Sequence, residues 1–193
     1  MYEMNTQVLA APLEVTSRRR PLWVALFAAV AGAAVATAVL LFAGGDQPRG
    51  ATELRGPGFS LAYPAGWKAV PGDQAAGVAG KPDAIVRRPD GKGVVVVRRK
   101  GAPRDQSLRA LTRDLSAGLE RRFPDFQFVS SRVSRVRGGT AFLYTFVRTR
   151  QKTAQSIALV KVGAANYTLD GVAATGDQRV AREVAAIVRS FGR

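Results

Sequence analysis

The chain has 193 residues and carries 29 Lys+Arg against 14 Asp+Glu, a net charge of +15, with neither His nor Cys. That excludes disulfides, thiol nucleophiles and thiolate metal sites, and it removes the commonest general base and zinc ligand. The excess of cations leaves two readings open: Arg-rich codon usage, or an anionic partner such as lipid head groups, a wall polymer or an acidic protein.

Residues 1–21 show no periodicity and read as a tail. Leu22–Ala43 (LWVALFAAVAGAAVATAVLLFA) holds 22 residues without a charge. As a helix it spans roughly 33 Å, enough for a bilayer core of about 30 Å. It is longer than the apolar core of a signal peptide, and without Cys it has no lipobox, so an uncleaved transmembrane helix is expected over 22–43. Ser17-Arg18-Arg19-Arg20-Pro21-Leu22 also resembles a twin-arginine export signal, from which Pro21 and Trp23 depart. Arg18, Arg19 and Arg20 abut the apolar run, whereas the twenty residues after Ala43 contain only Arg49 and Arg55. The positive-inside rule therefore puts the N-terminus in the cytoplasm and the bulk of the chain outside. The Gly/Pro-rich stretch 44–58 reads as a linker that keeps a domain over 59–193 near the membrane.

In that domain Phe59–Tyr63 alternates apolar with small residues, a half-buried strand stopped by Pro64. Ala69 and Val70 continue as an edge strand, and Asp73–Lys81 reads as loop. Ala84–Arg88 and Val94–Lys100 flank the turn signal Pro89-Asp90-Gly91-Lys92-Gly93, which predicts a hairpin. Val94–Val97 is apolar on both faces, which places it inside a sheet. Asp105 or Ser107 can cap a helix whose stripe Leu108, Leu111, Leu115, Leu119 and Phe123 is spaced 3, 4, 4, 4. Strands are expected over Phe126–Val136, bent at Ser130-Ser131, then Ala141–Arg150, Gln155–Val162 and Asn166–Val172. A closing helix presents Val180, Val184, Ile187, Val188 and Phe191 on one face. Runs of adjacent strands with short turns predict an α+β fold, an antiparallel sheet with helices on its faces.

Phe59-Ser60-Leu61-Ala62-Tyr63-Pro64-Ala65-Gly66-Trp67 resembles the opening of the PsbP/Mog1-like superfamily. The middle helix, the long meander, Tyr167-Thr168-Leu169 and Ile187-Val188-Arg189-Ser190-Phe191 fit it too. The resemblance implies an α-β-α sandwich and a non-catalytic binding or assembly role. It carries no ligand or metal residue across.

No Gly-x-Ser-x-Gly elbow, Ser-x-x-Lys motif or phosphate-cradling Gly-rich loop is present, so no enzyme, cofactor or metal is expected; a cryptic hydrolase or small-ligand domain, with a groove lined by Trp67 and Tyr167, is the alternative reading. Tyr63, Trp67, Phe142, Tyr144 and Tyr167 read as core. Arg87, Arg88, Arg98, Arg99 and Lys100 on the hairpin, with Arg148 and Arg150, form a candidate patch for an anionic surface. The simpler reading of the same residues is solvated strand ends that discourage edge pairing. The expected partners are thus the membrane, an envelope or secretion protein, and anionic lipid or wall polymer. Nucleic acid is not expected, since the aromatics read as core rather than stacking platforms.

Overall fold

The structure is a computed structural model, and it describes residues 50–72, 81–100 and 107–193. The tail 1–21, the expected transmembrane helix 22–43 and linker residues 44–49 lie outside the described residues. Among the described residues no helix is long and apolar enough to cross a membrane.

Among the described residues nine strands and two helices follow one another: β1 Thr52–Gly56, β2 Phe59–Tyr63, β3 Lys68–Pro71, β4 Ala84–Arg87, β5 Gly93–Lys100, α1 Leu108–Arg122, β6 Phe126–Val136, β7 Gly139–Arg148, β8 Thr153–Val162, β9 Ala165–Ala174 and α2 Gln178–Arg189. β1 and β2 form a two-stranded ribbon. The other seven make one antiparallel sheet in the order β3-β4-β5-β9-β8-β7-β6. The connection through α1 carries the chain across the sheet, so β6 becomes the far edge and the meander walks back to β5. The Val-rich strand Val94–Val97 has β4 on one side and β9 on the other, which puts it inside the sheet.

Each helix covers one face. Strand alternation sends Val86, Val95, Val97, Leu143, Ala158 and Leu169 toward α2, where they meet Val180, Val184, Ile187 and Val188. The opposite face presents Phe142, Tyr144 and Phe146 to Leu111, Leu115 and Leu119 of α1 and to Phe123, which caps its C-terminus. Ser107 caps α1 by accepting from the Ala110 N–H, and Asp177 caps α2 by accepting from the Val180 N–H.

Two expectations are corrected. Thr52–Gly56 was expected as the end of the linker, but it is a strand paired antiparallel to β2. Its single large apolar residue, Leu54, is too weak a signal, and the partner strand supplies the rest. Gly56 fits because a Cβ there would lie 2.2 Å from the Phe59 ring. β2 itself is buried on both faces rather than one. Phe59 packs between Tyr167 and Phe191, with ring centroids 5.5 and 5.3 Å away. From the other side the end of the chain closes over it: Ser60 exchanges backbone hydrogen bonds with Gly192, and the Ser190 hydroxyl bridges the N–H and C=O of Ala62.

Candidate interaction surface

The seven cations singled out from the sequence do not form one continuous patch. Arg148 is buried. Its guanidinium lies 3.9 Å from the centre of the Phe123 ring and donates from Nε to Asp125 at 2.5 Å. Asp125 also accepts from the Arg150 N–H at 3.0 Å. Burial alone would raise the Asp125 carboxyl, but these hydrogen bonds outweigh it and hold the group below its ordinary value. The set clamps the end of α1 to the end of β7. Arg98 pairs with Asp170 on the neighbouring strand.

Arg88 is held by Asp90 at 3.0 Å and by Glu183 of α2 at 2.8 Å. Glu183 in turn accepts from the Trp67 indole N–H at 2.9 Å and from Arg179 at 3.0 Å. This network pins the β2–β3 turn and the β4–β5 hairpin to one helix. Burial pushes the Glu183 carboxyl up, and the three donors bring it below its ordinary value.

Arg87, Arg99 and Arg150 are exposed, and Lys100 ends β5. Arg87 and Arg148 stand four strands apart, roughly 19 Å across the sheet. Arg87 sits directly opposite Lys68 on β3, and both are exposed. Two like charges facing each other across a strand pair repel unless an anion joins them.

A second surface was not singled out from the sequence. Among the described residues, Phe128 and Val133 are large apolar side chains left exposed, at 47% and 56%. Both belong to β6, whose outer side has no strand neighbour among the described residues. A register shift between Phe128 and Ser130 puts them on the same face: Phe128 pairs with Phe146, Ser131 with Tyr144 and Val133 with Phe142. Strict alternation from Phe128 would turn Val133 to the opposite face. The flank of α1 toward β6 is fixed by two contacts, Thr112 Oγ1 to Ser131 Oγ at 3.0 Å and Ser116 Oγ to Tyr144 Oη at 2.6 Å. Arg109 is one turn before Thr112 on that flank. Arg135 shares the face of Val133, while Arg132 points to the other face. There it bears on Arg189, whose guanidinium is lowered by burial first and by Arg132 second.

By sequence, no family model and no curated protein matches the chain. By structure the domain has the PsbP/Mog1-like fold. The solution structure of cyanobacterial PsbP (CyanoP) from Synechocystis sp. PCC 6803 aligns over 77% of this chain and 95% of its own, at 14% identity and a TM-score of 0.54. The Ran-binding protein Mog1p of Saccharomyces cerevisiae aligns over 73% of this chain and 93% of its own, at 13% identity and a TM-score of 0.50. LpqN of Mycobacterium tuberculosis, described as involved in cell envelope biogenesis, aligns over 74% and 91% at 14% identity, with a TM-score of 0.46. At these identities the likeness establishes the fold alone.

Proposed function

We propose that the chain is a non-catalytic binding module held beside a membrane by residues 22–43, with the domain outside the membrane and a protein of the envelope or secretion machinery as its partner. The observation that carries this reading is the pair Phe128 and Val133, exposed on the outermost strand of the sheet. A protein surface keeps such an apolar edge where something covers it. The carboxylates support the same reading. Asp90, held by the Lys92 N–H and by Arg88, and Glu53, Asp125 and Glu183, each held by arginine, sit below their ordinary values, which suits a structural anion rather than a proton donor. Mog1p is a Ran-binding protein by its description, and a binding role on the same fold agrees with this reading.

Two experiments test it. The chain has no Cys, so Gln151→Cys, at an exposed turn, reports topology by labelling with an impermeant maleimide on intact cells. Labelling only after lysis refutes the outside placement. Cross-linked capture of the full-length protein from its own membranes should recover a partner in near-equal amount, and recovery of the chain alone refutes the binding role.

A second reading has its own observation, the facing cations Lys68 and Arg87. They suit an anionic lipid head group or wall polymer, with Arg99 and Arg150 adding to the positive field. Binding of the full-length chain to anionic vesicles should then fall steeply with salt and drop in Arg87→Glu. Salt-insensitive binding refutes it.

A further inference from the structure

We infer that the β6 edge binds a partner by strand addition, and that the partner is an extended segment alternating apolar with acidic residues. The inference rests on the binding-module reading above and names the chemistry of the partner. Three features of the edge lead to it.

The strand is long, eleven residues from Phe126 to Val136, and lies at the end of the sheet. The opposite edge, β3, has only four. An added strand makes main-chain hydrogen bonds along such an edge and places its own side chains alternately on the two faces of the sheet. On the α1 face those side chains meet Phe128 and Val133, which the bulge has brought to one side. They are therefore apolar. On the other face they meet Arg132, an exposed cation opposite Leu143. A carboxylate matches that charge, so the alternate residues are acidic. Arg109, one turn before Thr112, and Arg135, two residues after Val133, add positive charge at that end of the edge.

Charge decides between this occupant and a second copy of the chain. Two β6 edges brought together would gather the exposed Arg132 and Arg135 of both copies in one interface, in a chain already at +15. Arginines on an edge strand oppose self-pairing, and they favour an acidic strand by the same field.

The test uses the full-length chain in detergent micelles and acetylated peptides of about eight residues. One peptide alternates Val with Glu. Two others have the same sequence N-methylated at the Val or at the Glu positions, and a fourth has the same composition in separate blocks. The alternating peptide should bind. The block peptide and one of the two N-methylated peptides should bind about tenfold more weakly or worse, because only alternate N–H groups face the edge. Phe128→Ser with Val133→Ser, both at exposed positions, should weaken the alternating peptide by a similar factor, and so should Arg132→Glu. Amide exchange across 127–135 should slow when the peptide binds.

Equal binding of all four peptides overturns the inference, as does no binding of the alternating one. Self-association of the full-length chain that Phe128→Ser abolishes would make the occupant a second copy and also overturns it. Membrane capture separates the two levels. If the Phe128→Ser/Val133→Ser variant recovers the same partner as the wild type, the binding-module reading stands and this edge is not its site.

Discussion

Replacing Glu183 by Ala should cost about 2–4 kcal/mol of stability at neutral pH. The side chain takes three donors from three elements: Trp67, Arg88 and Arg179. Trp67 is buried, and its indole N–H would lose its acceptor, which costs roughly 1–3 kcal/mol. The hydrogen bond to Arg88 is charged and only partly exposed to solvent, worth roughly 1.5–3 kcal/mol, but Arg88 keeps Asp90 and recovers part of it. The pair with Arg179 is 81% exposed on the arginine side and contributes only about 0.3–0.5 kcal/mol.

The effect should depend on pH. The folded carboxyl lies below its ordinary value of 4.5. A depressed acid stabilises the fold above the unfolded value and loses that contribution as pH falls through the folded one. The gap between wild type and Glu183→Ala should therefore be full at pH 7 and shrink below about pH 4.5. Urea unfolding of the full-length chain in a Trp23→Phe background reads this directly, because Trp67 is then the reporter. A loss under about 1 kcal/mol at pH 7, or a loss of the same size at low pH, would refute the network as drawn.

Phe191→Ala should cost about 3–5 kcal/mol in the same assay, since a fully buried ring packed against Phe59 and Tyr167 is removed. Ser190→Ala should cost about 1–3 kcal/mol and raise amide exchange at Ala62, whose N–H donates to the Ser190 hydroxyl. Tyr144→Phe removes a hydroxyl 2.6 Å from Ser116 and should cost about 1 kcal/mol, read as a shift of the urea midpoint at unchanged slope. Arg179→Ala, by contrast, should stay within about 0.5 kcal/mol of wild type.

Much of the domain was legible in the residues because the patterns are local. Leucines at helical spacing, valine runs, the Pro-Asp-Gly turn and the Asn166–Val172 strand each report on a few neighbours, and the elements fall where those patterns put them. The opening Phe59–Trp67 motif pointed to the fold for the same reason: a buried ribbon strand and a buried Trp leave a local mark. The first strand left almost none. Thr52–Gly56 has one large apolar residue, and it became a strand because β2 gave it a place to pair.

Charge was where local reading ran short. Composition determined that the domain is strongly cationic, and the sequence could name its arginines. Which of them face solvent depends on partners far along the chain: Asp125 for Arg148, Asp170 for Arg98, Glu183 for Arg88. The exposed edge was hidden in the same way. Period-two alternation along Phe126–Val136 puts Phe128 and Val133 on opposite faces. Only the bulge, a property of how β6 registers against β7, gathers them on one side of the sheet beside the arginines.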